Sequence, residues 1–238
     1  MINDADELPL GRLPLVLLRP AETTPGLRMK PRLRGLSHEI AFFLVLPLGA
    51  ALIFEVDTPR GRVSAIVFAV SVAAMFGASG LYHRVNWSPR GRRWMRCLDH
   101  AGIYALIAGT YTPFGLLVLR GDWSVVVLAI VWSGTAAAVA LKFLWFEAPK
   151  WLSALIGVGL GWVGVVVFPQ LIGRIGLGPS LLVLAGGLAY TAGALIYALR
   201  RPDPFPAVFG YHELFHACVI VAVACQYAAV AFYVLPKH

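Results

Sequence analysis

Seven apolar runs, each about twenty residues long, divide this chain: 36–56, 63–83, 97–119, 123–144, 150–171, 178–199 and 211–235. At 1.5 Å per residue, about 20 residues of α-helix cross the ~30 Å hydrocarbon layer of a bilayer. Charges and turn formers stand between the runs, as in Asp57-Thr58-Pro59-Arg60-Gly61-Arg62, Arg120-Gly121-Asp122 and Arg200-Arg201-Pro202-Asp203-Pro204. Hydrocarbon satisfies no backbone polar group, so a spanning segment is either a helix or a strand of a closed barrel. The ten-residue alternation of barrel strands is absent. The pattern therefore predicts an all-α membrane protein, a seven-transmembrane-helix bundle. Composition agrees, because 59% of the 238 residues are apolar and only 13% are charged. An ordinary soluble domain carries about twice that charge fraction.

Orientation follows from basic residues. With residues 1–35 as a cytoplasmic tail and 36–238 as the membrane domain, fifteen of the twenty Lys and Arg fall on the inner side. The positive-inside rule then puts the N-terminus in the cytoplasm and the C-terminus outside. Without the tail the balance is nine to five, which keeps the sign. The net charge of +8 is explained by topology, so no nucleic-acid partner is expected. The start, Met1-Ile2-Asn3-Asp4-Ala5-Asp6-Glu7, is acidic where a secretory signal is basic. Cys97, Cys218 and Cys225 have no CxxC spacing and read as small packed residues. Gly157 and Gly161, four apart, predict a close helix approach. Pro47 and Pro113 predict kinks.

Ionisable groups within a span are costly and are functional candidates by default. They are His38 and Glu39 opening helix 1, His83 ending helix 2, Asp99 and His100 opening helix 3, and His212, Glu213 and His216 in helix 7. Alternating helix direction puts His83, Asp99 and His212 in one layer near the inner face. His216 shares a face with His212 about 6 Å deeper, and Ser79 precedes His83 by one turn. Three imidazoles with an open fourth position describe a catalytic zinc site at which water becomes nucleophilic near neutral pH. Asp99 would handle the proton, and Ser79 would bond the site or a substrate carbonyl.

Each residue has a plainer reading. His83 alone is an interfacial side chain, Asp99 alone an N-cap, and Ser79 alone a hydroxyl bonded to its own helix. The His212/His216 pair resists such a reading, since two intramembrane imidazoles at ligand spacing are rare. His212-Glu213-Leu214-Phe215-His216 also fits H-E-x-x-H, which would make Glu213 a general base.

At these residues the chain resembles the hemolysin III family of the progestin and adipoQ receptor superfamily. The likeness lies in Pro31 to Glu39 (PRLRGLSHE), Ser79-Gly80-Leu81-Tyr82-His83, Asp99-His100-Ala101-Gly102-Ile103, Leu106 to Phe114 (LIAGTYTPF) and Gly210-Tyr211-His212-Glu213-Leu214-Phe215-His216. It spans roughly residues 28–235. The resemblance implies a seven-helix cell-membrane protein with a cytoplasmic N-terminus. It also implies zinc held by His83, His212 and His216, with Asp99 and Ser79 in the same site. Related alkaline ceramidases imply a lipid amide as substrate. Not all relatives keep a carboxylate at the position of Glu213, which favours Asp99 over the H-E-x-x-H reading.

Two functions stay open at this point. The first is a zinc-dependent hydrolase of a lipid amide or ester, with membrane lipids as partners. The second is a non-enzymatic sensor or receptor-like protein with structural zinc, or a cytolytic factor as the family name suggests.

Overall fold

The computed structural model describes residues 31–237, so most of the expected tail lies outside the described residues. Seven helices are long and apolar enough to cross a membrane. They are α1 (Leu36–Phe54), α2 (Pro59–Arg84), α3 (Pro89–Val118), α4 (Asp122–Leu144), α5 (Lys150–Ile175), α6 (Leu177–Leu199) and α7 (Tyr211–Lys237). The burial pattern is that of a protein in lipid. Phe43, Phe54, Val125, Leu144 and Phe232 face outward, while His38, Ser79, His83, Asp99, Glu213 and His216 are buried. Apolar side chains outside and ionisable ones inside reverse the soluble arrangement. This is a multi-pass integral membrane protein.

Local chemistry sets the helix starts. Helices α2 and α3 open on one pattern, Thr58-Pro59-Arg60-Gly61-Arg62 and Ser88-Pro89-Arg90-Gly91-Arg92. The Thr58 hydroxyl accepts from the Gly61 N–H at 3.1 Å and the Ser88 hydroxyl from the Gly91 N–H at 3.2 Å. Proline at the first helical position has no N–H to orphan and a φ already suited to the helix. Helix α3 thus begins eight residues before the apolar run at 97. Its first two turns carry four arginines and stand outside the hydropathic span.

Pro113 closes the regular α-helical part of α3. After it the helix widens into a π-turn over Phe114–Val118, and the Leu119 N–H reaches back five residues to the Phe114 carbonyl at 2.9 Å. In α5 a 3-10 turn spans Val163–Val167. The Tyr111 hydroxyl braces that break, donating to the Gly161 carbonyl at 2.6 Å and accepting from the Gly164 N–H at 2.7 Å.

Burial is greatest on α2, α3 and α7 and least on α5. Small residues let the central helices meet. A Cβ at Gly102 would stand 3.1 Å from the Met75 Cα, and one at Gly109 would overlap the Ser71 side chain. Gly157 and Gly161 do otherwise. A Cβ at Gly157 would meet only side-chain tips at 3.9 and 4.0 Å, and one at Gly161 nothing within 4 Å. Both line an internal cavity, so these glycines make space within the bundle and mediate no close helix contact.

The starts of α1, α3, α5 and α7 share one end of the bundle. The Arg32 and Leu33 N–H groups donate to the carbonyls of Ala207 and Val208, pinning the entry of α1 to the loop before α7. Arg84 at the end of α2 pairs with Glu39 of α1 at 2.8 Å. Arg96 of α3 bonds the Phe146 carbonyl at 2.9 Å and Glu147 at 3.1 Å in the loop before α5.

Candidate metal centre

The loop before α7 aims its first turn. The Tyr211 N–H donates to Asp203 at 2.8 Å and the Gly210 N–H to Glu213 Oε2 at 2.8 Å, satisfying orphan donors at the helix start. The other Glu213 oxygen accepts from Arg34. With both oxygens engaged by Arg34 and Gly210, Glu213 ties the first turn of α7 to the entry of α1.

With α7 so fixed, His212 and His216 point at the end of α2. His212 Nε2 lies 3.0 Å from His83 Nε2, and ring centroids are 4.5 Å apart for His212 and His216 and 5.1 Å for His83 and His216. One nitrogen from each of the three rings falls within 4.8 Å of the others, and all three residues are buried. Among the described residues this is the one such metal-ligand group. His216 is 1% exposed and its Nδ1 has no hydrogen-bond partner. A buried polar atom in that state calls for an explanation, and convergence of three imidazole donors supplies one. The three fit a metal ion.

His38 completes the setting. Its ring stacks on that of His216, with centroids 3.7 Å apart and planes 9° from parallel. His38 Nε2 lies 3.4 Å from the His216 carbonyl and Nδ1 lies 2.9 Å from the Ser79 hydroxyl. A carbonyl only accepts, so Nε2 carries the proton and the Ser79 O–H donates to Nδ1. Ser79 thereby positions His38, which in turn fixes the plane of His216. Sequence reading singled out both residues but not their link.

Asp99, 8% exposed, sits beside Ser79 and faces the triad. Its Oδ2 is 3.9 Å from His83 Nε2, too long for a hydrogen bond. His100 turns away from the metal ligands. Its Nδ1 donates to the Arg96 carbonyl at 2.7 Å, so the Tyr197 hydroxyl donates to Nε2 at 3.1 Å.

Two spaces meet here. A polar vestibule of about 720 Å³ opens at the site end and is lined by His83, Asp99, His100, Tyr197 and His212. An apolar cavity of about 180 Å³ shares Asp99, His100, Tyr197 and His212 and runs between α3, α5, α6 and α7 toward Phe114. From Asp99 to Phe114 is about 22 Å along α3, more than the ~15 Å of one leaflet's hydrocarbon.

The sequence profile described as haemolysin-III related matches residues 27–227. The chain belongs to the hemolysin III family. It is 34% identical over 207 residues to Hemolysin-3 of Bacillus cereus, covering 85% of this chain and 90% of that protein. A Hemolysin-3 homolog of Bacillus subtilis is 31% identical over 203 residues, with 84% and 92% covered. More distantly, heptahelical transmembrane protein ADIPOR2 of Oryza sativa is 32% identical over 148 residues, covering 56% of this chain and 65% of the plant protein. These relatives set the hemolysin III family within the progestin and adipoQ receptor superfamily.

The family block Pro31 to Glu39 now has a physical reason at Gly35. This residue has φ +80, and a Cβ there would overlap the His83 Cβ. Gly35→Ala is therefore expected to push His83 or the start of α1 aside and to weaken metal binding by about 10–100-fold, the usual cost of disturbing what supports a ligand. Competition with a calibrated chelator measures it. Unchanged affinity would show that Gly35 has no bearing on the centre.

Proposed function

We propose that the protein is a zinc-dependent intramembrane hydrolase that cleaves a lipid amide or ester. The observation that carries this reading is that His212 of the trihistidine group, together with Asp99, lines both the polar vestibule and the apolar cavity. A lipid bridging the two spaces has its headgroup in the vestibule, its acyl chain in the cavity and its acyl carbonyl between them. His83, His212 and His216 would hold the ion. Among metals suited to imidazole, zinc fits a set of three nitrogens with no thiolate. Two ligand nitrogens on a tetrahedral zinc stand about 3.3 Å apart, close to the 3.0 Å between His83 and His212. Zinc bound there supplies a Lewis acid and makes water nucleophilic near neutral pH.

The chain supplies the rest. Asp99 takes a proton from the attacking water and returns it to the departing nitrogen or oxygen. Water is added across the acyl bond, giving a carboxylic acid and an amine or alcohol. Ser79 and His38 hold His216 in place, and the cavity walls keep bulk water from the acyl chain. In the orientation given by the charge count, the vestibule opens to the cytoplasm and substrate enters from the inner leaflet.

Metal analysis of the purified protein, followed by a screen of N-acyl and ester lipids, tests the reading. About one zinc per chain and release of a fatty acid are expected. Zinc without hydrolysis of any lipid amide or ester overturns the enzymatic reading and leaves a structural or sensory metal.

A further inference from the structure

Six basic side chains line the vestibule, Arg34, Arg92, Arg96, Lys142, Lys150 and Arg200, against the carboxylates of Asp99 and Glu147 alone. Several of the six are engaged. Arg34 pairs with Glu213, Arg96 with Glu147, and Lys150 lies over the rings of Tyr197 and Tyr211 at 4.9 and 5.7 Å. Lys142 differs. It stands in the last turn of α4, is 6% exposed, and makes no side-chain hydrogen bond or ion pair with any described residue. Its stem is buried, and its ammonium reaches the vestibule with no carboxylate of the described residues paired to it. A lysine this close to a helix end normally carries its charge outward to the lipid headgroups. The neighbouring Leu144 and Trp145 are exposed, so outward directions exist. Lys142 lines the vestibule instead.

An inward cation without a counter-charge, facing a polar space of about 720 Å³ with further guanidinium groups on its walls, is complementary to an anion. A group carrying more than one negative charge and several acceptor oxygens matches such a set best, because Arg presents paired donors and Lys a point charge. We infer that the vestibule is a phosphate site and that the phosphate belongs to the headgroup of a lipid whose acyl chain lies in the apolar cavity. This rests on the reading of the trihistidine site as one that meets a lipid, and narrows its ligand to an anionic phospholipid.

Binding, not turnover, tests it. Full-length protein in neutral detergent is titrated with dioctanoyl phosphatidic acid, dioctanoylglycerol and inorganic phosphate. Phosphatidic acid is expected to bind about tenfold or more tighter than the glyceride, the effect of one or more charge-assisted contacts. Lys142→Met should abolish that preference and leave dioctanoylglycerol binding unchanged. Arg90→Gln, an exposed arginine outside the lining, should change neither. Without ligand, Lys142→Met should keep the wild-type melting temperature, since the ammonium faces the vestibule and bonds no other described side chain. A lower melting temperature would mean that Lys142 packs rather than binds. Equal affinity for the two lipids, or equal losses in the Lys142 and Arg90 variants, overturns the site. Inorganic phosphate binding as tightly as phosphatidic acid, with the same dependence on Lys142, overturns the lipid source. Phosphatidic acid binding without hydrolysis of any lipid removes the hydrolase reading alone.

Discussion

Protein carrying His212→Ala together with His216→Ala is expected to purify without bound metal and without hydrolase activity. Two of three imidazoles are gone, and a single neutral imidazole, His83, has no chelate partner among the ligand set. The bundle itself should persist. Its helices are specified by seven apolar spans and by contacts of α1, α2 and α3 far from α7's first turn. Helical circular dichroism and a monodisperse elution profile should therefore match the wild type. Lewis-acid assistance is worth several kcal/mol, and each 1.36 kcal/mol is tenfold in rate. Turnover should fall by more than about 10³-fold. Atomic absorption on the purified variant decides the site, and full metal retention would sink the assignment. His38 loses its stacking partner in this variant, but its contact with the residue 216 carbonyl and with Ser79 is independent of the side chain removed.

How much of this was legible in the sequence depends on how local the cause is. Seven spans are readable because hydropathy over twenty residues is a property of each segment alone. The common layer of His83, Asp99 and His212 is readable because helix direction alternates whatever the packing. The His212–His216 pairing is readable because one helical turn fixes it. What depends on helix rotation or on neighbours across the bundle was not. His38 faces His216 because Arg32 and Leu33 tie α1 to the loop before α7, a contact no periodicity reports. Lys142 falls at the end of the apolar run 123–144, and only the rotation of α4 turns it into the vestibule. Glu213 had the spacing of a general base, and its true partners, Arg34 and Gly210, lie on another helix and at the cap. Gly157 and Gly161 had the spacing of a helix contact, yet what they face is a cavity.

Asp99→Asn separates catalysis from clamping. Asparagine keeps the shape and polarity of the side chain and removes its capacity to accept and return a proton. If Asp99 serves as proton carrier, the variant should keep its zinc and its melting temperature and lose about 10²–10⁴ in turnover, the usual worth of a positioned general base. A structural centre predicts a different pattern. Closed zinc sites use four protein ligands, and with three histidines from α2 and α7 the fourth would be Asp99 of α3, locking the three most buried helices together. Asparagine in that role would weaken the metal and lower the melting temperature in step. Asp99 Oδ2 stands 3.9 Å from His83 Nε2, beyond hydrogen-bond distance, and its place among residues lining both spaces puts it next to the acyl carbonyl of the proposed substrate. The enzymatic pattern is therefore the expected one. Metal content, melting temperature and fatty-acid release, measured on one preparation of the variant, distinguish the two outcomes.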